Sequence, residues 1–261
     1  LSASILSIKR GEIKKQCEGN SFKVSSVKKT EREMKAPLPF TTSTMQQEAS
    51  KALNFAINKT MRVAQQLYEG VDIKGRGTVG LITYLRTDSV RISEEAKEAA
   101  ADFISSQYGK NYLADSTTQP NPSKKNIQDA HEAIRPADIT LTPSEIKSQV
   151  SRDIYRLYQL IWCRFVASQM SSSMIETTSV KISCGNILFS TSASRRTFEG
   201  FHLIYSAADE EKEEKSKWVT MLSEDTQLSF DMFEEKQHFT QPPAHYTEAS
   251  LVHTLEELGI G

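Results

Sequence analysis

Tyr84 and Arg86 stand two residues apart at the end of an apolar run, in residues 80–93, Gly-Leu-Ile-Thr-Tyr-Leu-Arg-Thr-Asp-Ser-Val-Arg-Ile-Ser. In extended backbone, positions i and i+2 share a face, so the phenol and the guanidinium point the same way. Together they suit attack on a phosphodiester. The phenol oxygen can form a covalent ester, and the guanidinium is a permanent cation that grips phosphate through paired hydrogen bonds. Phenols titrate near pH 10 in model peptides, so such an attack needs help at neutral pH. The pair also fits a plainer reading, a half-buried strand tyrosine with its hydroxyl capped beside an arginine reaching solvent. A second candidate lies at residues 129–136, Asp-Ala-His-Glu-Ala-Ile-Arg-Pro, where helical spacing would put His131 and Arg135 on one face. A histidine hydrogen-bonded only for structure is the alternative there.

The elements that must position these residues are read from periodicity. Residues 1–10 and 20–30 suggest two strands with a charged connection, Phe22, Val24 and Val27 facing inward. Pro37 and Pro39 mark a boundary. A helix is expected from Ser43, with a Ser43/Gln46 capping box and a face of Met45, Ala49, Ala52, Leu53 and Ala56. A second runs from about Asn58, with a stripe of Met61, Ala64, Leu67 and Tyr68, ending at Gly70. This helix pair is read as a packed hairpin, because no basic cluster marks a groove-reading helix. Gly75, Gly77 and Gly80, interleaved with Lys74 and Arg76, match neither a P-loop nor a dinucleotide fingerprint, and are read as a flexible basic approach to Tyr84. Ser93 can cap a helix with a stripe of Ala96, Ala99, Phe103 and Ile104. Residues 114–128 read as a surface loop, and residues 144–170 as one amphipathic helix carrying Ile154, Leu157, Tyr158, Ile161, Trp162, Phe165 and Val166. Five strands are expected at residues 179–184, 187–192, 202–205, 218–221 and 227–233, and a last helix capped by Thr247.

Composition is that of an ordinary soluble protein, with 38% hydrophobic and 25% charged residues and a formal net charge of −1. No apolar run approaches a bilayer-spanning length and no basic-then-apolar leader is present, so a cytoplasmic protein is expected. Cys17, Cys163 and Cys184 form no Cys-x-x-Cys pair, which argues against a zinc ribbon or a disulfide framework and for reduced, mostly buried thiols. Charge is segregated: residues 1–40 hold nine Lys/Arg against four Asp/Glu, and residues 205–240 hold four against ten. The acidic run at 209–214 reads as a solvated loop. Any affinity for DNA would therefore come from a local groove.

Residues 80–93 resemble the active-site segment of the type IA DNA topoisomerases. Residues 37–50, 68–78, 129–136, 158–162 and 241–252 each resemble a further block, in the family's order, so the resemblance spans residues 37–261. Leu85 and the following Thr87-Asp88-Ser89 are more like bacterial topoisomerase I than topoisomerase III, which tends to carry proline after the tyrosine; reverse gyrase shares the module. The resemblance implies an α+β multidomain fold. A helical gate domain (residues 39–143, carrying Tyr84) would be inserted in an antiparallel β arch domain (1–38 and 176–241), with 144–175 and 242–261 as helical pieces of an incomplete base domain. It implies that Tyr84 and Arg86 are catalytic, that Arg86, His131, Thr247 and Ser250 bind DNA, and that no metal ligand lies in this chain. The substrates would be single-stranded and negatively supercoiled DNA, met at the nucleoid. An acid for the departing 3′ oxygen and the Mg2+ ligands would belong to a carboxylate-rich toprim domain preceding this region, so the chain is expected to be an inactive central part of a longer enzyme. The pattern breaks at His245 and His253, where arginine and lysine are usual, which weakens phosphate contacts there. The absence of a Gly-x-x-x-x-Gly-Lys-Ser/Thr motif agrees with an ATP-independent reaction. The competing readings are a non-catalytic module that binds single-stranded DNA or docks a protein, and the topoisomerase part of a reverse gyrase.

Overall fold

A computed structural model describes residues 10–17, 20–114, 131–205, 217–232 and 239–260. Along them run α1 (Arg10–Cys17), β1 (Phe22–Met34), α2 (Thr42–Glu48), α3 (Ile57–Glu69), β2 (Val71–Ile73), β3 (Gly77–Val79), α4 (Glu94–Gln107), α5 (Pro143–Ile146), α6 (Arg152–Ser168), β4 (Ser173–Cys184), β5 (Ile187–Phe198), α7 (Lys217–Thr220), β6 (Gln227–Leu228) and α8 (Glu248–Glu257). Two compact units divide the chain: Leu1–Met34, Ser173–Glu199 and Tyr205–Pro242 in one, Lys35–Ser172, Gly200–Ile204 and Pro243–Gly261 in the other. No helix of the described residues is long and apolar enough to cross a membrane.

The first unit is built on a four-stranded antiparallel sheet in the order β5-β4-β1-β6. β4 and β5 form a hairpin closed at Cys184↔Ile187, where Gly185 takes φ 56°, a conformation glycine adopts without steric cost. β1 pairs with β4 from Phe22↔Cys184 to Met34↔Ser173, broken by a bulge between Val24 and Ser26. Alternation sends Val180, Ile182 and Cys184 to a core shared with Phe22, Val24, Phe189, Ala193, Val219 and Cys17, with Val27 partly buried against it. Cys17 and Cys184, distant in sequence, thus come together; burial and the neighbouring Cys184 thiol push Cys17 up to about 11. The expected charged connection at residues 11–20 is replaced over Arg10–Cys17 by α1; the expected strand before it falls, apart from Arg10, outside the described residues, as does the acidic run. The expected strand at 218–221 is the turn of helix α7, and among the described residues of 227–233 the pairing is confined to Gln227 and Leu228. Apolar residues in short runs read alike for strand and helix, and here tertiary packing chose the helix.

The second unit is mainly helical. α2 is capped by Thr41, not Ser43, through a box with Thr44. A π-helical turn at Ala49–Leu53 then shifts the helical phase and ends at Asn54 in the left-handed region, so that Phe55 is buried while Ala52 and Ala56 are exposed. α3 has no side-chain cap of its own; the Glu248 carboxylate of α8 accepts the Ile57 N–H at 3.0 Å. Its buried face is Thr60, Val63, Ala64 and Leu67, leaving Tyr68 exposed. The glycine-rich approach is a hairpin, β2–β3, pinned by the Arg76–Asp138 ion pair at 2.8 Å and by the Lys74 N–H donating to Gln149 at 2.8 Å. Ser93 caps α4 as expected, whose buried residues are Ala96, Ala100 and Ile104. The expected helix at 144–170 is two, α5 and α6, because Thr142 and Ser151 each start a new one. α6 buries Leu157, Tyr158, Ile161, Trp162, Phe165 and Val166, and the buried Tyr158 and Trp162 donate to the Leu141 and Ile139 carbonyls at 2.7 and 2.9 Å. Burial raises the Tyr158 phenol far above its usual range. The strand expected at 202–205 is a 3-10 turn over Gly200–Ile204. Gly200 is confined there: at φ 51°, a Cβ would lie 2.4 Å from the Ser172 carbonyl oxygen.

Candidate active site

Residues 84–90 alternate in exposure without joining a ladder, although the chain bends at Leu85 and Arg86 and is not the strand expected there. Tyr84, Arg86, Asp88 and Val90 are exposed, whereas Leu85, Thr87 and Ser89 are buried. In place of a strand partner, two clamps hold this bent segment. On one side the Thr83 N–H donates to the Arg135 carbonyl at 2.9 Å, the Thr83 hydroxyl donates to the Ala133 carbonyl at 2.7 Å, and the same hydroxyl accepts the Arg135 N–H at 3.0 Å. On the other, the Thr42 hydroxyl donates to the Leu85 carbonyl at 2.8 Å and accepts the Thr87 N–H at 2.9 Å, while the Thr42 N–H donates to the Thr87 carbonyl at 2.8 Å. Beyond Arg86, the Thr87 and Ser89 hydroxyls accept N–H groups two residues on, at 3.0 and 3.2 Å. Tyr84 is thus the unclamped residue between two fixed neighbours.

The stretch around His131 is not helical. Isolated bridges, Phe40↔Ile134 and Ile82↔Pro136, hold it extended, and the Ala133 and Ile134 N–H groups donate to the Arg91 and Phe40 carbonyls at 2.8 Å each. Long-range backbone pairing has overridden helix propensity worth only fractions of a kcal/mol per residue. His131 and Arg135 therefore do not share a helix face. His131 instead stacks on the Tyr84 ring, centroids 5.5 Å apart and planes at 28°. Arg135 turns to a partly buried pair with Glu132, its two nitrogens 2.7 and 3.0 Å from one carboxylate oxygen, and donates to the Pro136 carbonyl at 3.0 Å.

Tyr84 is 41% exposed. Among the described residues its hydroxyl has no hydrogen-bond partner, and the Arg86 guanidinium has neither hydrogen bond nor ion pair. An exposed phenol thus lies two residues from an uncommitted fork of donors. Tyr68, at the end of α3, meets the Tyr84 ring in a T-shaped contact, at 5.5 Å and 71°. Sequence reasoning assigned Tyr68 to the packed stripe and missed this contact, and it did not find the Thr42 and Thr83 clamps; no local pattern links residues so far apart in the chain.

Thr247 and Ser250 lie elsewhere. They form a reciprocal cap on α8: Thr247 N–H to the Ser250 hydroxyl at 2.8 Å, Ser250 N–H to the Thr247 hydroxyl at 3.2 Å. Both hydroxyl protons are also taken within the pair, and no described contact joins them to Tyr84. His253 sits 3.4 Å from Glu257, one turn on, and His245 is exposed. No group of three His, Cys, Asp or Glu among the described residues stands close enough to hold a metal ion. Of the carboxylates next to these segments, Glu132 is engaged by Arg135 and Asp88 is exposed.

A family model described as DNA topoisomerase matches residues 7–261. Among solved structures, the chain is similar to full-length topoisomerase I from Thermotoga maritima, at 34% identity and a TM-score of 0.74, over 97% of this chain and 40% of that one. The chain thus spans less than half the length of that protein.

Proposed function

The chain belongs to the DNA topoisomerase family, and from that premise we propose that it carries the nucleophile of a type IA enzyme of the bacterial topoisomerase I kind. Tyr84 Oη attacks the phosphorus of a phosphodiester in single-stranded DNA and loses its proton. The P–O3′ bond breaks, the 3′ oxygen takes up a proton, and the 5′-phosphate remains esterified to Tyr84. The ester conserves the energy of the broken bond, so after strand passage the 3′ hydroxyl can reverse the reaction without ATP and relax negative supercoils. Arg86 holds the scissile phosphate through its fork of donors. His131, stacked on the Tyr84 ring, lies beside the same phosphate.

The observation that carries this reading is an exposed Tyr84 hydroxyl, two residues from Arg86, both without a partner among the described residues, on a segment clamped at both ends. Thr247 and Ser250 are read as a helix cap in place of the phosphate contacts the resemblance implies. The general acid and the Mg2+ ligands are assigned to a toprim domain outside this sequence, and the family's gate and base to the helical unit, its arch to the sheet unit. The site of action would be the nucleoid in the cytoplasm.

In the complete enzyme, Tyr84→Phe should leave the unfolding midpoint unchanged and abolish both plasmid relaxation and covalent capture of a 3′-labelled oligonucleotide. A non-catalytic DNA-binding module would bind that oligonucleotide without any adduct in the wild type. Relaxation by Tyr84→Phe would require another nucleophile. This chain alone, with magnesium and negatively supercoiled plasmid, should not relax it, because nucleophile, acid and metal act as a unit.

A further inference from the structure

Tyr68 has no place in the chemistry above, yet its ring is the second of two that touch Tyr84. Its own packing does not explain it. The ring is 40% exposed at the end of α3, at the edge of the buried Thr60, Val63, Ala64 and Leu67 face, and its hydroxyl has no partner among the described residues. Its relation to Tyr84 is nevertheless tightly fixed through the backbone. The Leu81 N–H donates to the Leu67 carbonyl at 2.7 Å, and the chain passes so close that a Cβ on Gly80 would lie 2.7 Å from the Tyr68 carbonyl oxygen. The segment leading to Tyr84 is thus laid directly on the last turn of the helix that carries Tyr68.

Two contacts of different geometry then bound the Tyr84 ring: His131 stacked on it and Tyr68 in a T-shaped pair with it. A tyrosine has a staggered choice at χ1 and a two-fold torsion at χ2, and a change of χ1 sweeps the phenolic oxygen through several ångströms. A single stacked neighbour restrains the ring in one direction only. A second ring meeting it at 71° restrains it in another, and edge-to-face pairs are a favoured aromatic geometry. Clamps at Thr83 and at Leu85 and Thr87 fix the Tyr84 backbone, so the ring torsions are the freedom that remains.

We propose that Tyr68 is a positioning residue for the Tyr84 nucleophile, acting through its aromatic ring and not its hydroxyl. It raises the fraction of molecules whose phenolic oxygen is aimed for in-line attack, the kind of preorganisation that accelerates reaction without tightening substrate binding. The proposal rests on Tyr84 being the nucleophile.

The test measures single-turnover formation of the covalent adduct in the complete enzyme, across a range of 3′-labelled oligonucleotide concentrations, for Tyr68→Phe, Tyr68→Leu, Tyr68→Gln and Tyr84→Phe. Leucine and glutamine are good helix formers without an aromatic ring. With each, the maximal rate should fall roughly three- to tenfold, the population factor that corresponds to one edge-to-face pair, at unchanged half-saturating concentration and unfolding midpoint. Tyr68→Phe should stay within about twofold of wild type, since the ring remains. Wild-type rates in both Tyr68→Leu and Tyr68→Gln would overturn the proposal. So would a Tyr68→Phe as slow as Tyr68→Leu, which would assign the effect to the hydroxyl, or a raised half-saturating concentration at unchanged maximal rate, which would make Tyr68 a platform for a base. The Tyr84→Phe arm separates the two readings: an adduct from that variant refutes the nucleophile assignment and the proposal with it, whereas no adduct from it, together with unaffected Tyr68 variants, refutes the role of Tyr68 alone.

Discussion

Replacing Thr42 with valine keeps the side chain's shape and deletes one oxygen, and that oxygen is what holds the carboxyl side of Tyr84 in place. Its hydroxyl proton goes to the Leu85 carbonyl and its lone pair receives the Thr87 N–H. Both partner residues are buried, Leu85 to 1% and Thr87 to 7% exposure, so water cannot readily replace the lost oxygen. The Thr87 N–H would be left without an acceptor and the Leu85 carbonyl without its donor. An unsatisfied buried group costs about 1–3 kcal/mol. Because the segment can relax outward to reach solvent, we expect a total near 2–3 kcal/mol and not the sum of two full penalties. At roughly 2–4 °C per kcal/mol for a unit of this size, the unfolding midpoint of the helical unit should fall by about 4–12 °C, while Thr42→Ser, which keeps the oxygen, should lose less than about 1 kcal/mol. Adduct formation in the complete enzyme should fall more steeply than stability, since the residue released is the neighbour of Tyr84. Differential scanning calorimetry and urea titration measure the first effect and oligonucleotide capture the second. A Thr42→Val protein within about 0.5 kcal/mol of wild type, the usual range of an inconsequential surface change, would refute the clamp.

Gly80→Ala should be worse tolerated than an exposed glycine suggests, because its Cβ meets the Tyr68 backbone carbonyl at 2.7 Å and no side chain can swing aside; overpacking of this kind costs about 1–3 kcal/mol, visible as a lower unfolding midpoint. Arg86→Lys should reduce cleavage far more than binding of single-stranded DNA, because an ammonium keeps the charge but not the fork; equal losses in a filter-binding and a cleavage assay would argue for a purely electrostatic role. The β2–β3 hairpin should loosen in acid. Burial works against ionisation of Asp138, but hydrogen bonds from Thr140 and Arg76 and the Arg76 charge outweigh it and hold the carboxyl below its usual range. A depressed carboxyl stabilises the fold above its unfolded titration range and loses that contribution as pH falls through the folded one, so amide exchange across Val71–Val79 should accelerate there in wild type but not in Asp138→Asn.

Several features were legible in the sequence because they depend on neighbours only. The alternation of exposed Tyr84, Arg86 and Asp88 with buried Leu85, Thr87 and Ser89 has the period expected of a strand, although the chain bends at Leu85 and Arg86 and joins no ladder. The Leu157–Val166 stripe of α6, the Ser93 cap and the Gly70 terminus follow from helical period and capping chemistry. The family resemblance of the blocks could likewise be read without coordinates. What needed the tertiary structure were the events in which a distant partner outweighed a local preference. Residues 131–136 are extended because Phe40, Ile82 and Arg91 supply their backbone partners. Residues 202–205 and 218–221 look like strands by composition and coil into helical turns, and one helix became two at Thr142 and Ser151. Local propensities differ by less than about 1 kcal/mol per residue, whereas a backbone hydrogen bond or a buried side chain can contribute as much or more. For the same reason the meeting of Tyr68, Tyr84 and His131 could not be read from spacing: it arises where the Tyr68 end of a helix, a glycine without a Cβ and two threonine hydroxyls bring three separate stretches of chain together.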